Sequence, residues 1–324
     1  MEPVSKLLIK FSQRLFKDSS DQEKFIDALI HPQPFNPCIL WCKPQPSEIP
    51  FQREPALPWQ PEFVDRLAIA EKPGQHSLHQ QGFYYCLDFS SVFAASILLT
   101  IQTPIQLVVD VCASPGGKSL FMWRSLRPQC LMSNEVIGKR MGALVSNLKR
   151  CAKSDDPDSK LSTKIAFSLD SKILAQELAK IADLVLVDAP CTGQSLLAKG
   201  DKSPGCFHPV NINKNANRQK RIIANSAQVV SPQGYLAYMT CAYSLEENEQ
   251  VMDWFLERFP AFQPISVSHL QDYQSNFSDL PCYRIFPQGR LGAGAFTVLF
   301  QNTELSEKHQ LSNDFLNRTH LISI

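Results

Sequence analysis

Charge of one sign, clustered cysteine motifs and long apolar runs are all missing from this chain of 324 residues. Lys and Arg number 32 and Asp and Glu 31, so the formal net charge is +1. That excludes a globally basic nucleic-acid binder and leaves room only for local basic faces. The ten cysteines, at 38, 42, 86, 112, 130, 151, 191, 206, 241 and 282, are dilute and contain no Cys-x-x-Cys pair. Cys38 and Cys42 have no partnering Cys or His pair nearby, so neither a disulfide scaffold nor a metal site is expected. The thiols are expected to be reduced and mostly buried as small hydrophobes. No uncharged apolar run is long enough for a bilayer, and residues 1–10 lack the apolar stretch of a signal peptide. The expectation is a soluble, cytoplasmic monomer with no membrane partner. No internal repeat or low-complexity tract occurs.

What is present is ample apolar material, 44% of the residues, which excludes a mostly disordered chain. Residues 1–30 read as helical, with apolar positions at Leu7, Leu8, Phe11 and Leu15 and again at Phe25, Leu29 and Ile30. Cys38–Cys42 has strand character, and the six prolines from Pro44 to Pro61 suit an extended connector. These features predict a small N-terminal unit over 1–57, a main domain over 58–302 and a polar tail over 303–324. In the main domain, apolar runs at 107–112, 130–135, 164–170, 184–189 and 234–241 alternate with helical patterns at 118–127, 138–151, 171–181, 217–230 and 247–258. That alternation predicts an α/β fold, a parallel sheet with helices on both faces, with a further strand at 295–301.

Charge is uneven along this domain. Lys139, Arg140, Lys149, Arg150 and Lys153 form one basic cluster, and six basic residues between Lys199 and Arg221 face one acid, Asp201. Residues 244–283 carry seven acids and one base. Taken alone, such runs are ordinary solvated helix faces.

Ligands of open α/β sheets bind outside the carboxyl ends of the strands, and the unusual motifs fall there. The first strand runs into Asp110-Val-Cys-Ala-Ser-Pro-Gly-Gly-Lys-Ser119. Gly116 and Gly117 allow close backbone approach, and the following helix N-terminus offers free N–H groups. The spacing matches neither the dinucleotide Gly-x-Gly-x-x-Gly nor the phosphate loop. The second strand ends in Asn134-Glu135 and the third at Asp170, acids placed to hold a nucleoside, although each alone reads as a helix cap. The fourth strand ends in Asp188-Ala-Pro-Cys191-Thr-Gly193 and the fifth in Thr240-Cys241, which puts two cysteines and an aspartate on one sheet edge. Carbon 5 of cytosine becomes nucleophilic only after a thiolate adds to carbon 6 with acid assistance near nitrogen 3, and those are the groups gathered here.

These motifs, with Thr240-Cys-Ala-Tyr-Ser-Leu-Glu-Glu-Asn-Glu249 and the approach segment Gln81–Ser91, closely resemble the NOP/Sun (RsmB- and RsmF-like) family of RNA 5-methylcytosine methyltransferases over about 75–300. The resemblance implies a Rossmann-like class I methyltransferase sheet after a small RNA-recognition-like subdomain. It implies S-adenosylmethionine as cofactor, held by the loop Cys112, Ala113, Ser114, Pro115, Gly116, Gly117 and Lys118, with Glu135 on the ribose, Arg140 in the same site and Asp170 beside the adenine. Asp188 would face both cofactor and base, with Lys118 counted among the catalytic groups. The attacking thiolate would be Cys241 and the cysteine that resolves the adduct Cys191; composition and spacing do not choose between the two.

The substrate implied is RNA, rRNA in preference to tRNA, with a catalytically silent RNA-binding protein on the same fold as the alternative. Retention of both cysteines and Asp188 argues against the silent form. The chain departs from the family pattern at Leu87-Asp88, at Phe286-Pro-Gln288, at Gly292-Ala-Gly-Ala-Phe296 and at Leu40-Trp-Cys-Lys43. Beside such a site, the Lys199–Arg221 stretch is expected to meet RNA phosphates. Phe207, Tyr235 and Tyr243 are available either for stacking on an extruded base or as core.

Overall fold

Each central strand is apolar on both faces because both faces are covered. In the computed structural model, which describes residues 4–152, 163–317 and 321–324, the chain begins with helices α1 (Lys6–Leu15) and α2 (Ser19–Ile30). The expected single helical stretch is broken at Phe16–Asp18, where the Asp18 carboxylate caps α2 by accepting from the backbone N–H groups of Ser20 and Asp21. Strands β1 (Cys38–Trp41), β2 (Val64–Arg66) and β3 (Tyr84–Leu87) form a three-stranded antiparallel sheet in the order β2-β1-β3. The one-turn helix α3 (Ser77–Gln80) precedes β3, and α4 (Phe89–Ser96) follows it. The boundary expected near residue 57 thus lies within the chain segment that joins β1 to β2 of this sheet.

The main sheet alternates β4 (Leu107–Asp110), α5 (Gly117–Leu126), β5 (Cys130–Asn134), α6 (Gly138–Cys151), β6 (Thr163–Phe167), α7 (Ser171–Glu177), β7 (Ala182–Asp188), α8 (Pro209–Val229), β8 (Val230–Thr240) and α9 (Glu249–Arg258). Strands β9 (Phe262–Pro264), β10 (Tyr283–Ile285), β11 (Ala295–Asn302) and β12 (Ile322–Ser323) complete it, with the short helix α10 (Asn313–Leu316) before β12. The order is β10-β11-β8-β7-β4-β5-β6-β12, with β9 also on β11. The central strands β8-β7-β4-β5-β6 are parallel, as expected, whereas β9 to β12 add antiparallel edges. Lys153 lies outside the described residues.

Residues along one strand alternate between two cores. Leu184, Leu186, Ala237 and Met239 face α4, α5 and α6 through Phe93, Leu120 and Leu144. Val185, Val187, Leu236 and Tyr238 face α7, α8 and α9 through Leu174, Ile223 and Phe255. A third cluster seats α1 and α2 beside the turns after β7 and β8: Phe25 meets Tyr243 edge-on at 5.2 Å, and Phe11 meets Phe207 at 4.9 Å. Among the described residues no helix is long and apolar enough to cross a membrane.

The small sheet has its own centre. Trp41 is fully buried, donates its indole N–H to Asp65 at 2.7 Å and packs edge-on against Tyr84. Arg150 of α6 clamps this sheet to the main domain by donating to the carbonyls of His79 and Tyr84. Replacing Trp41 by alanine leaves a ring-sized cavity and takes the indole donor from Asp65, which keeps Arg53 at 3.4 Å, so W41A is expected to lose about 3–5 kcal/mol of stability. Denaturant titration checks this; a loss below about 1 kcal/mol would show that the small sheet adds little to the cooperative unit.

Candidate active site

The topological switch lies between β4 and β7, because the chain runs from β4 outward through β5 and β6 and then returns to β7 on the other flank. All five parallel strands deliver their carboxyl ends to this edge. Fully buried Asn134 knots three of them: its amide donates to the carbonyls of Val111 and Leu169 at 3.0 Å each, and its oxygen accepts from the Leu169 N–H at 2.8 Å. The sequence reading passed over this residue in favour of the adjacent glutamate.

The loop from Cys112 to Lys118 turns through Gly116, whose φ of 111° is a left-handed conformation suited to glycine. A Cβ at Gly117 would lie 2.9 Å from the Tyr85 ring, so packing against protein alone already favours glycine there. Ser114 and Arg140 fix the loop to α6 reciprocally, the Ser114 hydroxyl donating to the Arg140 carbonyl and the guanidinium to the Ser114 carbonyl. Beneath the loop, buried Asp110 accepts from Ser119 at 2.6 Å, and burial pushes its carboxyl up to about 7.

A cavity of about 260 Å³ opens beside this loop, lined by Cys112, Glu135, Ile137, Arg140, Asp170 and Pro190 among others. Glu135 is buried. Its Oε1 accepts from the Ile137 N–H at 2.9 Å, while Oε2 has no hydrogen-bond donor and only the Arg140 guanidinium at 3.4 Å. A buried acceptor left without a donor fits a hydroxyl-bearing ligand. Asp170 caps α7 through the Lys172 N–H at 2.9 Å and also lines the cavity.

At the ends of β7 and β8 the two cysteines meet, with Cys191 Sγ 3.1 Å from Cys241 Sγ, both half-buried. Lys118 donates to Asp188 at 2.7 Å alongside them. Burial pulls the Lys118 ammonium down, but the Asp188 carboxylate more than offsets this and holds it charged. The thiol pair is electrically unequal. The hydrogen bond from Cys191 lowers Cys241 to about 7 against the opposing effect of burial, with help from the Ser195 hydroxyl and Lys118. Cys191 moves well upward through its hydrogen bond with Cys241, its burial, the charge on Cys241 and, after these, Glu247. Cys241 is therefore the sulfur able to carry negative charge near neutrality.

Other expected contributors are placed elsewhere. Tyr235 pairs with Leu184 midway along β8, away from the cysteines, and Tyr243 is buried with its hydroxyl on the Ala293 carbonyl, so both serve the core. Phe207 packs on α1 through Phe11. The Lys199–Arg221 stretch is not a single face. Lys199 pairs with Asp88 at 2.9 Å, Lys220 lies over Trp254, Arg218 and Arg221 line the cavity, and Lys202 and Lys214 are exposed. Asp88, at one of the departures from the family pattern, also caps α4 through the Ser90 N–H.

A profile of the family described as 16S rRNA methyltransferase RsmB/F matches residues 97–301. The ribosomal RNA small subunit methyltransferase F of Pectobacterium carotovorum is 28% identical over 214 residues, 65% of this chain and 42% of that protein. The Klebsiella pneumoniae protein of the same name is 27% identical over 255 residues, 76% of this chain and 51% of its own length. The chain thus spans about half the length of the curated relatives it matches. Among solved structures, PH0851 superposes with a TM-score of 0.75 at 21% identity, covering 93% of this chain and 69% of that one. NSun6 from Pyrococcus horikoshii, solved with SFG, gives 0.69 at 16% identity over 93% and 98%. At these identities the structural likeness carries the fold alone.

The thiol asymmetry is directly measurable. Alkylation of Cys241, followed by peptide mass spectrometry across pH, is expected to rise with a midpoint near 7. Cys191→Ala removes the donated hydrogen bond, so the midpoint should move up toward the ordinary thiol range of about 8.5. A midpoint unmoved by that substitution would dissociate the reactivity of Cys241 from its neighbour.

Proposed function

The chain belongs to the RsmB/F family of methyltransferases, and on that premise we propose that it transfers a methyl group from S-adenosylmethionine to carbon 5 of a cytosine in RNA. The observation that carries the reading is the 3.1 Å thiol pair beside the Lys118–Asp188 ion pair, at the edge of a sheet that also holds the Glu135 cavity. Ribosomal RNA is the favoured substrate because both curated relatives are named as small-subunit rRNA methyltransferases.

S-adenosylmethionine, when bound, supplies an electrophilic methyl group. The residues assigned to hold it are the loop Cys112–Lys118, Glu135 with its free acceptor for ribose hydroxyls, Arg140, and Asp170. Cys241, as thiolate, adds to carbon 6 of the cytosine, and the displaced electron pair moves toward nitrogen 3 and the ring carbonyl. Lys118 is held charged and donates to Asp188 at 2.7 Å, and acid assistance at nitrogen 3 is assigned to this pair. Carbon 5 is then the nucleophile. Product release requires loss of the proton from carbon 5 and cleavage of the carbon 6–sulfur bond, a step we assign to Cys191. Arg218, Arg221, Lys202 and Lys214 are the basic residues left to meet phosphates, and Lys199 is committed to Asp88.

The test is bisulfite mapping of RNA from cells with and without the gene, together with methylation of total RNA by the purified protein. A cytosine methylated only in the presence of the gene is expected; its absence from every RNA class would overturn the reading. Cys241→Ala should abolish both transfer and adduct, whereas Cys191→Ala should accumulate a covalent protein–RNA species on denaturing gels. The reversed pattern would exchange the two roles. Glu135→Gln should weaken S-adenosylmethionine binding about 10–100-fold in calorimetry, the size expected for losing a hydrogen bond to a charged acceptor.

A further inference from the structure

Glu247 lies in the turn between β8 and α9, fully buried, and among the described residues no Lys or Arg pairs with it. Its carboxylate is instead surrounded by four neutral donors. Oε1 accepts from the Thr192 N–H at 2.8 Å and the Gln219 amide at 3.0 Å, and Oε2 accepts from the Thr192 hydroxyl at 2.6 Å and the Ser244 hydroxyl at 2.7 Å. Its own carbonyl accepts from the Tyr238 hydroxyl at 2.7 Å. Thr192 immediately follows Cys191, and Ser244 lies three residues beyond Cys241. One side chain therefore joins the turn that carries Cys191, the turn that carries Cys241, and α8.

We propose that Glu247 is a positioning residue for the methyl-transfer chemistry, fixing the distance between the two cysteine turns and, by its uncompensated charge on the Cys191 side, keeping Cys191 a thiol so that Cys241 is the attacking sulfur. The assignment rests on the functional reading above. Burial pushes the Glu247 carboxyl up from its ordinary range and the four hydrogen bonds oppose that rise; the ionised group then disfavours a second anion on Cys191, beside Thr192. The ionisable groups around the pair agree with that division. Lys118 and Asp188 act on the Cys241 side and Glu247 on the Cys191 side. Tyr238, Tyr243 and Cys206 are held protonated by burial. Gln194 completes the frame without charge, its oxygen accepting from the Tyr243 and Ser244 N–H groups and its amide donating to the Cys206 carbonyl.

The experiment compares rates of iodoacetamide labelling at Cys191 and Cys241 in the intact protein by mass spectrometry between pH 6 and 9. Glu247→Gln keeps the shape of the side chain and removes the charge; its NH2 replaces one acceptor oxygen, which the rotatable Thr192 and Ser244 hydroxyls can meet by accepting from it. It is expected to lower the Cys241-to-Cys191 labelling ratio at neutral pH at least ten-fold. Ser244→Ala removes one tether and leaves the charge, so the ratio is expected to stay within about two-fold of the native protein. An unchanged ratio in folded E247Q reduces Glu247 to a structural tie and overturns the proposal. So does a collapse of the ratio in S244A, which remains informative even where E247Q does not fold. Labelling needs neither RNA nor methyl donor, so a failure here is distinguishable from a failure of the methyltransferase reading, which the bisulfite map reports separately.

Discussion

The pairing of β7 with β8 is the constraint on which the site depends. Val187 lies opposite Tyr238 and Asp188 opposite Met239, so the two strands end together and their following turns bring Cys191 and Cys241 to 3.1 Å. In a parallel pair buried on both faces, a slip of one residue would exchange the two hydrophobic sets and is strongly disfavoured. Leu184, Leu186, Ala237 and Met239 would have to leave one core for the other. The cost of mispairing the core is thus also what specifies the sulfur–sulfur distance, and a polar frame refines it: Glu247, Gln194, and Asn248, which accepts from the Thr240 hydroxyl and donates to the Ala242 carbonyl on either side of Cys241.

Much of this was legible before the structure. The five apolar runs mark the five parallel strands, and a site at their carboxyl ends follows from topology alone. The Cys112–Lys118 loop, Glu135, Asp170, Asp188 and both cysteines stand on that edge. What escaped has a common physical cause. Helix α8 starts at Pro209, eight residues before the expected start at 217, because its first two turns are mostly polar and bury only Ile212 and Ala216; a proline at the first position and a cap from His208 begin it. Strands β9, β10 and β12 have two or three residues each and exist through their pairing with β11 and β6. Asn134, Gln219, Glu247 and Asn248 are polar and fully buried, a combination that only tertiary partners make stable and that no hydrophobic pattern announces.

Charge shows the same limit. The basic run from Lys199 to Arg221 is contiguous in sequence but divided in space, with members bound to Asp88, stacked on Trp254, lining the cavity or left in solvent. The acidic segment 244–283 looked like a balancing solvated surface, yet Glu247 and Glu249 are both buried, the second beside buried Arg284 at 3.5 Å. Net charge near zero therefore does not describe the field at the site. There, a lysine–aspartate pair, an unpaired buried carboxylate and one thiolate-forming cysteine lie together in a region from which water is partly excluded.

That arrangement bears on how one edge can hold two cysteines without making them equivalent. Identical thiols at 3.1 Å cannot both ionise readily, since a second charge would face the first at short range in a poorly solvated site. The proton must therefore be shared unequally, and its position follows from what lies behind each sulfur. Behind Cys241 are the Ser195 hydroxyl and the Lys118 ammonium, the latter tempered by Asp188; behind Cys191 is Glu247. In the proposed mechanism, bonding of the Cys241 sulfur to carbon consumes its charge, and Cys191 then loses both a hydrogen-bond partner and the repulsion from that sulfur. On the proposed mechanism, attack therefore removes the share of Cys241 in holding Cys191 protonated and leaves burial and Glu247 in place, which lowers the barrier to a second role for that thiol without abolishing it.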